Sequence, residues 1–171
     1  MHENHAYEYT PTSYDEQSKS IRVSNKTCRL DIIEIAGQDP YAPQTYTWYS
    51  NWGDEKEKDA FVLVYDITSR SSFEIIRHLL RLTEHSRNAI IMLVGTKIDR
   101  ERRREVPQKE AMELAKDLGG SYWEVSAREG RGIREMLQGL ALLLQLRANA
   151  ATRKSFLKRF FHVLFPCMGR V

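Results

Sequence analysis

Apolar residues in this chain fall into continuous runs that predict buried strands and into spaced positions that predict helices. The clearest run, residues 89–94, is Ala-Ile-Ile-Met-Leu-Val followed by Gly95. Such a run is typical of a strand buried on both faces in a parallel sheet that helices cover. Residues 60–67 predict another buried strand, and residues 20–23 and 27–35 predict two strands joined by a hairpin turn at 24–26.

Three segments carry apolar residues near the helical period and predict helices. They are residues 71–85, a segment that starts near Pro107 and stops at Gly119-Gly120, and residues 133–146. A short last strand is expected at 121–125. Polar residues 7–18 and charged residues 100–105 predict loops, and the Trp- and Tyr-rich segment 39–59 predicts a helix of uncertain length with a loop. This alternation indicates an α/β fold, mostly parallel with one antiparallel hairpin.

Charge divides the chain into an acidic body and a basic tail. The 171 residues carry a net charge of +3, but five Lys or Arg and no acid lie from residue 151 onward. We therefore expect one domain over 1–150 and a basic, aromatic tail over 151–171, with an anionic surface rather than nucleic acid as partner. Two cysteines give no disulfide framework, and the first residues lack an apolar signal region, which together predict a cytoplasmic protein.

The tail alternates basic pairs with large apolar residues. On a helix, Phe156, Phe160, Val163 and Leu164 would share a face flanked by basic residues, so the segment could lie peripherally in a membrane interface. A terminal helix packed on the domain and a disordered basic tail are the alternatives. Cys167 is five residues from the end rather than four, so a prenylation box is absent, although palmitoylation stays open.

Polar residues follow three of the predicted strands at the point where each strand ends. Thr96-Lys97-Ile98-Asp99 follows the run 89–94, Ala36-Gly37-Gln38 follows 27–35, and Ser126-Ala127-Arg128 follows 121–125. In open α/β sheets, ligands bind outside the carboxyl ends of the strands. A carboxylate can accept two hydrogen bonds from the N1 and N2 edge of guanine, and a Lys stem can lie across a flat ring. A solvated turn is the alternative for each stretch taken alone.

The order and approximate spacing of these three stretches resemble the Ras family of small GTPases, over residues from about 7 to 148. The resemblance implies a Ras-like P-loop GTPase fold and a GTP/GDP switch in signal transduction that hydrolyses GTP. It also implies that Thr96, Lys97 and Asp99 hold the guanine. Backbone donors of three further residues would close over the base: Ser126, Ala127 and Arg128.

By the same resemblance, four residues stand on the phosphate side of the site. Thr12 and Glu34 stand where the family binds Mg²⁺, although the family has Asp at the position of Glu34. Gly37 stands where a backbone N–H meets the γ-phosphate, and Gln38 stands where the attacking water is oriented. An ordinary loop threonine and a strand-ending turn are the alternatives for Thr12 and for Gly37-Gln38.

The phosphate-binding motif of the family, Gly-x-x-x-x-Gly-Lys-Ser/Thr, occurs nowhere in this sequence. In the family it follows a first strand that lies between the strands corresponding to 27–35 and 60–67. We therefore expect those two strands either to pair directly or to leave unpaired edges, which are costly. The expectation that follows is a truncated product or an incomplete gene model of a GTPase. A rearranged, genuinely short protein is the alternative, which requires more coincidences. A protein-binding module that uses residues 7–52 without nucleotide is the rival prediction.

Overall fold

The computed structural model describes residues 15–23, 25–36, 59–83, 89–151 and 160–165. The strands are β1 (Asp15–Val23), β2 (Lys26–Ala36), β3 (Ala60–Asp66), β4 (Ile90–Thr96), β5 (Ser121–Glu124) and β6 (Phe160–Phe165). The helices are α1 (Arg70–Thr83), α2 (Gln108–Asp117) and α3 (Ile133–Ala151), and a short 3₁₀ helix spans Ile98–Arg103.

The six strands form one sheet in the order β1-β2-β6-β3-β4-β5. β1 and β2 are antiparallel, and every other neighbouring pair is parallel. This confirms the predicted α/β fold with one hairpin. Asn25 in the hairpin turn has φ 63°, a conformation that asparagine tolerates well and that suits a two-residue turn.

Helices cover both faces of the sheet, which explains the continuous apolar runs of β3 and β4. One buried cluster joins Phe61, Leu63 and Tyr65 of β3 to α1 and α2. The alternate β3 residues, Val62 and Val64, face the opposite cluster, which includes α3. Every residue of β3 is buried, as we predicted from its composition.

Local signals place the helix ends close to their predicted positions. Ser69 caps α1, because its hydroxyl accepts a hydrogen bond from the Ser72 N–H at 3.3 Å. At the end of α2, Gly119 has φ 63°, and the N–H of Gly120 reaches the Ala115 carbonyl at 2.8 Å. This pattern is a Schellman motif, which requires the left-handed conformation that glycine adopts freely.

The C-terminal strand β6 is the main departure from expectation. It lies between β2 and β3 and pairs in parallel with both, over Asp31–Ala36 of β2 and Ala60–Leu63 of β3. The helical interpretation of the tail is therefore wrong for residues 160–165. Neither expected arrangement of β2 and β3 occurs, since β6 occupies the place between them and satisfies their facing backbone groups.

Two further local predictions are wrong. Residues 15–18 belong to β1 rather than to a loop, because they pair with residues 31–34 of β2. The charged residues after β4 form a 3₁₀ helix rather than an irregular loop. The predicted helix and loop at 39–59 lie outside the described residues except for Asp59.

Candidate guanine-binding site

The candidate site lies along the carboxyl edge of three neighbouring parallel strands. β3, β4 and β5 end there, at Asp66, Thr96 and Glu124. The register pairs Asp66 with Thr96 and pairs Gly95 with Glu124, so the segments that follow the three strands begin side by side. The structure therefore brings together the polar residues after β4 and those after β5, as the strand-end argument predicted.

Thr96 fastens the end of β4 to β3. Its hydroxyl donates to the Tyr65 carbonyl at 2.9 Å, and its own carbonyl accepts from the Ile67 N–H at 3.1 Å. The side chain is buried. Through these two contacts Thr96 holds the start of the loop that carries the next polar residues.

Lys97 follows in a left-handed backbone conformation, with φ 63° and ψ 35°. Its ammonium nitrogen lies 2.6 Å from Oδ2 of Asp66, and both side chains are largely sheltered. Burial alone would raise the pKa of Asp66, but hydrogen bonds from Lys97 and Thr68 outweigh it and lower that pKa. Asp66 is therefore a carboxylate at neutral pH and fixes the end of the Lys97 side chain.

Asp99 is tied to the segment after β5. The Ser126 hydroxyl donates to Oδ1 of Asp99 at 2.6 Å and accepts from the Glu129 N–H at 3.2 Å. This hydrogen bond lowers the pKa of Asp99, and the positive charge of Arg128 adds to the effect. A carboxylate has about four acceptor positions, so Asp99 can accept further hydrogen bonds from a ligand.

The segment after β5 closes on itself. Ser126 and Arg131 exchange backbone hydrogen bonds of 3.0 Å in both directions. Gly132 follows with φ 77°, and a Cβ there would lie 2.7 Å from the Glu124 carbonyl oxygen. Only glycine satisfies both conditions without strain. The turn leaves Ala127 and Arg128 exposed beside Asp99, so their backbone groups lie at the rim of the site.

An arginine holds the 3₁₀ helix against β5. Arg104 donates to Glu124 at 2.8 and 3.1 Å and to Glu101 at 2.7 and 2.6 Å. Hydrogen bonding to Glu101, followed by that to Glu124, raises the pKa of Arg104 above its already high value. Glu101 lies in the same 3₁₀ helix as Asp99, and Glu124 precedes Ser126 by two residues. By binding both carboxylates, Arg104 links the segment that carries Asp99 to the segment that carries Ser126.

Two phenols extend this polar cluster into the core. The Tyr122 hydroxyl donates to Glu124 at 2.5 Å and lies 3.1 Å from the Tyr65 hydroxyl. The pKa of Tyr65 is raised to about 12, and burial of the phenol is the largest cause. A Cβ at Gly95 would lie 3.0 Å from the Tyr65 hydroxyl oxygen, so the absence of a side chain there leaves room for the phenol.

The phosphate side is described only at Glu34. Thr12, Gly37 and Gln38 lie outside the described residues. Glu34 lies in β2 opposite Asp15, and β6 separates β2 from β3. Within the described ranges, no three His, Cys, Asp or Glu residues form a group that could hold a metal ion. Mg²⁺ usually keeps several waters and is bound by one or two carboxylates plus substrate phosphates, so the roles of Thr12 and Glu34 in Mg²⁺ binding stay predictions.

The described residues do fit the base of a guanine nucleotide. A fixed carboxylate at Asp99 can accept from adjacent N–H donors, and the methylene stem of Lys97 offers an apolar surface for a ring. Three residues that hold the site together were not identified from the sequence, namely Asp66, Arg104 and Glu124. Asp66 could have been found by a similar signal, since it is the polar residue at the end of a buried strand of the same sheet.

Comparison with known proteins supports this interpretation. The sequence model of the Ras family matches residues 1–145. The Ras-like protein rasW of Dictyostelium discoideum is 32% identical over 156 residues, which cover 88% of this chain and 69% of that protein. The Ras-like protein rasB of the same organism is 37% identical over 131 residues, which cover 75% and 64%.

A bovine protein is a further relative. The Ras-related protein Rab-26 of Bos taurus is 30% identical over 139 residues, which cover 80% of this chain and 52% of that protein. The matched parts span about half to about two thirds of these three relatives. On the family match and these identities, the chain belongs to the Ras family of small GTPases.

Proposed function

We propose that this chain binds guanine nucleotide at the carboxyl edge of β3, β4 and β5 and acts as a nucleotide-dependent switch in signal transduction. The observation that carries the proposal is the Asp99 carboxylate, whose Oδ1 accepts from the Ser126 hydroxyl at 2.6 Å, while Asp66 fixes the Lys97 ammonium at the same edge of the sheet. Family membership supports the same ligand class.

Base selectivity follows from the chemistry of the carboxylate. Guanine presents N1–H and N2–H donors on one edge, and a deprotonated Asp99 can accept both. Adenine has an unprotonated N1 at the corresponding position, which would place an acceptor against the carboxylate. Hydrogen bonds to a charged group contribute about 1.5–3 kcal/mol each. One such bond corresponds to a factor of about ten in affinity. Replacing Asp99 should therefore lower the preference for guanine over adenine by roughly tenfold or more.

The proposed switch also hydrolyses GTP to GDP. Gln38, two residues after the end of β2, would orient the attacking water, and Gly37 would meet the γ-phosphate. Release of the γ-phosphate would free the segments that contact it and end the signalling state. Family membership and the position of Gln38 after β2 support this part of the proposal.

Two classes of partner complete the proposal. Effector and regulator proteins would bind through residues 7–52, where aromatic residues typical of interface hot spots are concentrated. An anionic membrane surface would attract the basic pairs at 153–154 and 158–159. Among the described residues, no helix is long and apolar enough to cross a membrane.

Competition for a fluorescent GDP probe tests the base assignment. We expect unlabelled GDP to displace the probe at far lower concentration than ADP, and we expect Asp99→Ala to abolish this difference. Asp117→Ala is the matched control, because Asp117 is an exposed acid at the end of α2, away from the site. Equal displacement by GDP and ADP in the parent chain would show that the base assignment is wrong.

A further inference from the structure

We propose that Asp66 is a positioning residue for Lys97, whose ammonium group it holds in one place at the base-binding edge before a nucleotide arrives. The inference rests on the proposed guanine site and extends it to a residue of β3. It assigns Asp66 an effect on nucleotide affinity that acts through the lysine side chain.

The geometry of Asp66 suits this role, because both of its carboxylate oxygens are engaged. Oδ2 accepts from the Lys97 ammonium at 2.6 Å. Oδ1 accepts from the Thr68 N–H at 2.8 Å and from the Thr68 hydroxyl at 2.7 Å. The Asp66 backbone is fixed as well, since its N–H donates to the buried Ser72 hydroxyl at 3.0 Å. The carboxylate that meets Lys97 therefore has a fixed orientation.

The backbone at Lys97 brings the two groups together. A left-handed residue with a Cβ costs free energy, and this cost is commonly found at functional sites, where the surroundings impose the conformation. Here the Lys97 carbonyl accepts from the Arg100 N–H at 2.8 Å, which closes the turn. The turn sends the Lys97 side chain to β3, whereas Asp99 meets Ser126 after β5.

A contribution to folding stability does not by itself explain the ion pair between Asp66 and Lys97. A sheltered ion pair often contributes little net stability, because desolvation offsets the attraction between the charges. The clearer effect of the ion pair is to hold the Lys97 side chain in one place. A lysine without such a partner would lose much of its rotamer freedom when a ring binds across it. A lysine that is already fixed avoids that loss, so the pair should increase affinity for a planar base.

The variant Asp66→Asn tests the inference. Asparagine keeps an oxygen that can accept from Thr68, but its amide nitrogen cannot accept from an ammonium group. We expect affinity for fluorescent GDP to fall about tenfold, within the usual range of coupling between contacting residues. The preference for GDP over ADP should remain, because Asp99 is unchanged. Asp117→Asn, which removes an exposed acid of α2, is the matched control and should leave affinity unchanged.

A double-mutant cycle separates positioning from general structural support. In a Lys97→Met background, Asp66→Asn should have no further effect on GDP affinity, since the lysine that it positions is gone. An equal loss in both backgrounds, or no loss in the parent chain, would overturn the inference. If Asp66→Asn does not fold, Thr68→Val replaces it. That variant removes one of the two bonds to Oδ1, and we expect it to lower affinity severalfold only when Lys97 is present.

The same titration distinguishes this inference from the proposed function. A folded parent chain that does not bind GDP overturns both. Binding by the parent chain that is lost in Asp99→Ala but unchanged in Asp66→Asn overturns only the positioning role.

Discussion

The position of β6 in the middle of the sheet predicts that a proline there is much more damaging than an ordinary substitution in a C-terminal tail. Val163 pairs with Glu34 of β2 on one side and with Val62 of β3 on the other. Proline lacks an N–H and is not tolerated inside central strands. Val163→Pro therefore removes one ladder hydrogen bond and leaves its partner carbonyl unsatisfied.

These two losses determine how far Val163→Pro lowers the free energy of unfolding. A backbone hydrogen bond contributes about 1 kcal/mol net, and an unsatisfied buried acceptor costs about 1–3 kcal/mol. A loss of about 3 kcal/mol is a large share of the roughly 5–15 kcal/mol by which domains are stable. At about 2–4 °C per kcal/mol for a chain of this size, the midpoint of thermal unfolding should fall by about 6–12 °C.

Thermal unfolding followed by circular dichroism measures this effect. Val163→Ile is the control at the same position, because it keeps the N–H and the β-branched shape. We expect the isoleucine variant to unfold within about 6 °C of the parent chain and above the proline variant, since conservative hydrophobic exchanges usually cost under about 1.5 kcal/mol. A proline variant that unfolds at the same temperature as the isoleucine variant would refute the placement of β6 between β2 and β3.

Two further predictions concern alkaline stability and membrane contact. Between pH 10 and 12 the free energy of unfolding should fall, because the folded pKa of Tyr65 is raised to about 12 and the unfolded state releases this proton first. Tyr65→Phe should reduce that slope in denaturant titrations across this pH range, and an unchanged slope would contradict the assignment. Replacing Lys158 and Arg159 with glutamine should weaken binding to phosphatidylserine vesicles about thirtyfold, at about 1 kcal/mol per charge. The exposed pair Arg102 and Arg103 serves as a matched control in the sedimentation assay, and equal losses from the two pairs would contradict a specific role for the tail.

The parts of the fold that were predicted correctly are those with strong local signals. The apolar runs of β3 and β4 required burial on both faces, and the two glycines after α2 required an end there. Parallel strands then brought Asp99 next to Ser126, because the ends of β4 and β5 share one edge. Each of these steps depends on neighbours in sequence or on a general rule of sheet topology.

The parts that were not predicted depend on distant partners. Residues 160–165 are a short apolar and aromatic run that fits a helix or a strand equally well by period. Only the place between β2 and β3 favours the strand. Likewise, nothing in the sequence around Lys97 predicts the left-handed backbone conformation of this residue. The pairing of Lys97 with Asp66 is therefore evident only in the structure.

The beginning of β1 shows the same dependence on a partner strand. Residues 15–18 are polar and predict a loop, yet the Ser18 hydroxyl donates to Asp31 of β2. Arg29 joins the two, with donors 2.9 Å from Asp31 and 2.9 Å from Ser18. Cross-strand polar contacts of this kind stabilise a solvent-facing strand without an apolar pattern.

Hydrogen exchange measured with and without GDP reports on the guanine site and on the β6 strand in one experiment. We predict slow amide exchange at residues 160–165 in both states, because central strands open rarely. GDP should increase protection at residues 96–99 and 124–128 and leave α2 unchanged. Fast exchange at 160–165 would contradict the placement of β6 in the middle of the sheet, and no change at 96–99 under saturating GDP would contradict the guanine site.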